Sequence, residues 1–117
     1  MDTLRQKVES EQQLSVQEEL ALLKSGDKKL IQLYMWWNFL SDEAQMFLLK
    51  MKDAELIRYY VGRDPLVADA EVELVKLGNL KVLDFYITAH GLGAKAKKVI
   101  LDSGNKALLR VYRKRRN

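Results

Sequence analysis

The chain contains no cysteine, a single proline and a single histidine in 117 residues. The lack of cysteine excludes a disulfide framework, a thiol nucleophile and a thiolate metal site, and it fits a reducing cytoplasm, the expected location. One histidine, His90, cannot by itself build a metal site, and no histidine stands in register to activate Ser41 or Ser103, which sit at expected cap and turn positions. No apolar run approaches the roughly 18 residues of a membrane span, and the acidic, glutamine-containing start is unlike a secretory signal. Membrane partners are therefore not expected. Phosphate-binding loops, dinucleotide fingerprints and metal-ligand spacings are also missing. Asp42 with Glu43, and Asp69, Glu71 and Glu73, fall mostly in polar slots of expected helices, so they read as solvated faces. The chain is thus expected to be no enzyme, with no catalytic, cofactor-binding or metal residue.

What is present is a spacing. Tyr34, Tyr60, Tyr86 and Tyr112 follow one another at 26-residue intervals. Stepping by the same interval aligns Leu20, Met46 and Val72; Leu23, Leu49, Val75 and Leu101; Leu30, Leu56, Val82 and Leu108; Ile31, Ile57, Leu83 and Leu109; and Leu14, Leu40, Leu66 and Leu92. Gly26, Gly78 and Gly104 share a turn position with Lys52 as the exception, followed by Asp27, Asp53, Asn79 and Asn105.

Within one unit, Val16, Leu20 and Leu23 are four and three residues apart, which places them on one helical face and predicts that Glu18, Glu19 and Lys24 meet water. Leu30, Ile31 and Tyr34 repeat the logic in a second helix. Between the two, glycine supplies the left-handed residue that ends one helix, and the Asx side chain caps the next. At Lys52 the glycine is missing, so that turn is predicted to be strained or differently shaped. Ser15 to Glu18 has capping-box spacing, and Pro65 excludes a helix running through its loop. A unit of this length holds two helices of about 8 to 11 residues, too short to be stable without packing.

The predicted fold is all-α: an α-solenoid of about four 26-residue helix-turn-helix repeats, near 15–40, 41–66, 67–92 and 93–117, after an N-terminal half repeat over 1–14. In architecture it resembles the tetratricopeptide, HEAT and armadillo proteins. The period is shorter than theirs and their signature residues are absent. A chain of this length is expected to form a single domain, and the varying, non-core positions of its repeats are expected to bind another protein.

Candidate partner-binding residues follow from departures within the pattern. Trp36 and Trp37 stand where later units have Gly62 and Arg63, or Thr88 and Ala89. Either they cover the junction with the half repeat, along with Phe39, or one is exposed as an interface anchor. Arg63 shares the slot of Trp37, and His90 occupies the next one, at an expected surface position. The tyrosine column is expected to be structural, and Tyr59 to lie at the surface.

Charge is lopsided. Residues 95 to 117 hold nine basic residues against Asp102 alone, a net +8, while residues 1 to 94 sum to −4. Arg110, Arg113, Arg115 and Arg116 are the candidates there, either as a solubilising cap or as a patch for phosphates or acidic surfaces. A protein partner is the first expectation. Nucleic-acid backbone binding through this basic segment is the alternative, and a homodimer through an uncapped end is a further arrangement.

Overall fold

The structure, a computed structural model, describes residues 2–116, with the side chains of 3–114. These residues form helices α1 (Asp2–Glu9), α2 (Val16–Ser25), α3 (Lys28–Trp37), α4 (Asp42–Lys50), α5 (Ala54–Val61), α6 (Ala68–Leu77), α7 (Leu80–His90), α8 (Ala94–Ser103) and α9 (Lys106–Arg116), and no strand. Their boundaries follow the predicted punctuation. The Ser15 hydroxyl and the Glu18 carboxylate form a reciprocal capping box at α2. Asp27, Asp53 and Asn79 accept from the amides of Leu30, Leu56 and Val82, each at 3.2 Å. Gly26, Gly78 and Gly104 end α2, α6 and α8 in the left-handed region. No helix among the described residues is long and apolar enough to cross a membrane.

The helices pack in two files. α2, α4, α6 and α8 contact one another in succession, as do α1, α3, α5, α7 and α9, so each helix meets the one two places along. The described molecule measures 47 × 21 × 20 Å. Ala44, Ala70 and Ala96, each fully buried, let the backbones of the first file approach closely. Leu22, Leu48, Leu74 and Ile100 form the main buried column of that file, and Met35, Val61 and Ile87 extend the core beyond the tyrosines of the second.

Two expectations about water-facing acids are overturned. Glu19 and Glu71 are buried, as is Gln45 between them, whereas Val16, Leu20, Met46 and Val72 are only half-buried. The cause is the loop before each first helix. Leu14, Leu40 and Leu66 are buried there, and an unpaired buried amide costs about as much as a lost hydrogen bond. Their N–H groups donate to the hydroxyls of Tyr34, Tyr60 and Tyr86 at 3.1, 3.1 and 3.0 Å. Tyr34 and Tyr86 in turn donate to Glu19 and Glu71 at 2.5 Å. At the middle node Gln45 Nε2 donates to the Leu40 carbonyl at 3.1 Å and reaches the Tyr60 hydroxyl at 3.4 Å. The other carboxylate oxygens of Glu19 and Glu71 accept the amides of Ser41 and Gly93 at 3.0 and 2.8 Å, and the Gln45 Oε1 accepts that of Val67 at 2.9 Å. Each node therefore ties a helix pair to the loop that opens the next pair. Burial and the adjacent carboxylates push the Tyr34 and Tyr86 hydroxyls well above their usual ionisation range, so both remain proton donors.

The pattern changes at α8 and α9. Lys97 holds the place of Glu71 and is exposed, and an ammonium has no acceptor for a following loop amide. Leu101, in the column of buried Leu23, Leu49 and Val75, is exposed, and Tyr112 is half-buried, unlike the three fully buried tyrosines before it.

Lys52 adopts the glycine conformation itself, at φ +60° beside +74° for Gly26 and +79° for Gly78, so the turn keeps its shape and the strain resides in one residue. The left-handed region costs an L-residue about 1–2 kcal/mol, partly offset by the greater unfolded-state freedom of glycine. Lys52→Gly should raise stability by about 0.5–1 kcal/mol in chemical denaturation; a loss would show that the strain is absent. Glu71→Ala removes the partners of the Gly93 amide and the Tyr86 hydroxyl and should cost about 2–4 kcal/mol, whereas Glu71→Gln, which copies Gln45, should cost about 1 kcal/mol or less. Equal losses in the two variants would contradict a bonding role for this side chain.

Candidate functional site

The ends of α3, α5 and α7 bring corresponding positions of successive helix pairs to one edge. Trp36, Trp37 and Asn38 stand at the first pair, Arg63 and Asp64 at the second, Ala89 and His90 at the third. The core columns behind them are nearly constant in character, so the edge differs in side chains on a common backbone frame.

Trp36 and Trp37 do not cover the N-terminal junction. They are 49% and 52% exposed, and Phe39 beyond them is 68% exposed, which leaves three large rings facing solvent. The Arg63 guanidinium stacks over the Trp36 ring at 3.8 Å, and its Nη2 donates to the Trp36 carbonyl at 3.4 Å. Such a cation–π contact holds the indole in place while leaving its edge available. Residues Met35 to Phe39 with Arg63 and Asp64 enclose a cleft of about 170 Å³. Burial pushes the Asp64 carboxyl above its usual value, opposed by the charges of Arg63 and His90. Sequence reasoning brought Trp36, Trp37 and Arg63 forward separately, and the fold joins them. Phe39 it treated only as part of a cover, and the structure makes it the most exposed ring of the three.

His90 is exposed on this edge and also bonds to the framework. Its Nε2 lies 2.5 Å from the Val61 carbonyl, which can only accept, so this nitrogen carries the proton. The ring also packs against Tyr86, with centroids 5.1 Å apart. It fastens the end of α7 to α5 while the residue stays exposed.

Arg110 and Arg113 share one face of α9 with Lys106, Leu109 and Lys114, around an open groove of about 560 Å³. The side chains of Arg115 and Arg116 lie outside the described residues. The described ion pairs, Arg5–Asp27, Lys7–Glu18, Lys28–Asp53 and Lys95–Asp69, leave this face out.

A third hollow, of about 550 Å³, was not evident in the sequence. It lies along the second file between Gln32, Glu55, Tyr59 and Phe85, with Arg58 over the Phe85 ring at 4.8 Å. Tyr59, expected at the surface, is half-buried against the core there. The alignment of Tyr59 with Phe85 one period later was the available signal. Among the described residues no group of three histidine or acidic side chains could hold a metal ion.

No family model, curated protein or solved structure matches this chain.

Removing the guanidinium should free the Trp36 ring without unfolding the chain. Arg63→Ala is expected to lower stability by about 0.5–1 kcal/mol and to raise the accessibility of tryptophan fluorescence to acrylamide. Quenching identical to that of the parent protein would show that the stack does not persist in solution.

Proposed function

We propose that the chain is a short α-solenoid, built from 26-residue helix pairs, that serves as a non-enzymatic protein-interaction module. The observation that carries this reading is the edge bearing Trp36, Trp37 and Phe39, where three aromatic rings stand exposed beside an arginine already stacked on one of them. Tryptophan and arginine are the residue types that most often dominate binding energy at protein interfaces, and an aromatic held in place before binding loses little freedom on association. The rigidity comes from the tyrosine nodes, which tie each pair to the next and keep the edge in register. Repeat stacks of this kind gain contact area unit by unit, which suits recognition of an extended protein surface.

Phosphate-backbone binding through the basic face of α9 is the second reading, favoured by its clustered cations. It predicts strong salt dependence and little sequence preference.

Affinity capture with the full chain as bait, beside a Trp37→Ala/Phe39→Ala variant, tests the first reading. Both rings are exposed, so the variant should keep its melting temperature while losing about tenfold or more in binding to retained proteins, the effect of truncating a hot spot. Retention of the same proteins at the same affinity by the variant would remove the aromatic edge from the interface. Tight binding of nucleic acid at near-physiological salt with no retained protein would put the second reading first.

A further inference from the structure

α1, α3, α5 and α7 each pack against the next second-file helix, and the first three of these junctions each carry a cationic contact. Arg5 on α1 pairs with Asp27, the cap of α3, at 2.9 Å, and Lys28 on α3 pairs with Asp53, the cap of α5, at 3.0 Å. Arg58 on α5 lies over Phe85 of α7, and Trp36 on α3 takes Arg63 from the turn after α5. Between these polar contacts runs a buried seam, Ile31 and Met35 on α3, Ile57 and Val61 on α5, Leu83 and Ile87 on α7. The face thus combines an apolar stripe with cations that meet an acid or an aromatic on the incoming helix.

α9 presents this same face to solvent. Lys106 falls in the column of Lys28, Ala54 and Leu80, Leu109 in that of Ile31, Ile57 and Leu83, and Arg110 in that of Gln32, Arg58 and Asp84, while Arg113 replaces the apolar Met35, Val61 and Ile87, so α9 gathers on one helix cations that the earlier helices carry singly. Leu109 is half-buried at the centre, and the cations border the open groove. Resting on the protein-interaction reading, we infer that this face binds an amphipathic helix of an acidic partner protein, with an apolar side chain on Leu109 and carboxylates against Lys106, Arg110 and Arg113. Charge complementarity selects this occupant. A second copy is disfavoured, because its α1, seated as α7 is on α5, would bring Lys7 to the position of Phe85 and set it against Arg110. Phosphates would engage the cations but make no use of the leucine between them.

The probe is a fluorescein-labelled helical peptide of about 15 residues, with leucine and phenylalanine on one stripe and glutamate flanking it. Controls are a scrambled peptide of equal composition and single-stranded oligothymidylate, each titrated by anisotropy against the full chain at near-physiological salt. The amphipathic peptide should bind at least tenfold more tightly than the scrambled one. Arg110→Glu/Arg113→Glu, checked by its melting curve, and separately Leu109→Ala, should each weaken it by tenfold or more. Equal binding of the scrambled peptide, indifference to the variants or no peptide binding would overturn the inference. So would tighter binding of oligothymidylate, or an assembly of the protein alone by light scattering that the double variant dissolves. If captured proteins still depend on Trp37 and Phe39 while this peptide does not bind, only the assignment of α9 fails; loss of both removes the interaction reading as well.

Discussion

The buried loop amide ahead of each first helix is the constraint on which the rest of the molecule depends. A loop pressed into a core must find an acceptor for its N–H, because water is excluded and no helical carbonyl is in reach. Tyrosine answers that need at Leu14, Leu40 and Leu66, since its hydroxyl accepts the amide with one lone pair. In two of the nodes its proton goes to a glutamate that also holds the next loop. Short helices that would be marginal alone are thereby fixed at a set spacing, and apolar packing between files supplies the bulk of the stability.

Much of the local architecture was legible in the sequence. Helix ends were marked by Ser15, the Gly-Asx turns and Pro65, all features whose effect is confined to a few residues. The error lay in the first helix of each pair, where Glu19 and Glu71 were assigned to water from the spacing of Val16, Leu20 and Leu23. Hydrophobic periodicity cannot identify a buried carboxylate, because its partners are a hydroxyl 15 residues away and an amide 22 residues away. The signal that could have found it was the register itself: Glu19, Gln45 and Glu71 are separated by one period, and each shares acceptor chemistry. His90 is exposed as expected, but its bond to the Val61 carbonyl, which crosses 29 residues, could not be read from the sequence for the same reason.

The candidate surfaces were less legible because exposure is a property of the pair of helices on either side. Trp36 and Trp37 could be singled out by type, but only the path of α5 brings Arg63 onto one ring and leaves the other clear. The basic segment could be counted but not divided. On α9 it becomes a stripe centred on Leu109, opposite in charge to the acid caps that its equivalent helices meet inside the molecule. The aromatic edge and the basic end thus offer two chemically distinct surfaces on one rigid frame.

The middle node has an electrostatic consequence. Gln45 is neutral, so buried negative charge enters the described core at Glu19 and Glu71 but not between them. Neighbouring nodes are close enough to sense each other: the charge of Glu19 contributes to the raised ionisation of Tyr60. A carboxylate at all three nodes would set like charges one beside the next in a medium that screens them poorly. The amide acts as an insulating spacer, and the line of nodes tolerates its acids because every second one carries no charge.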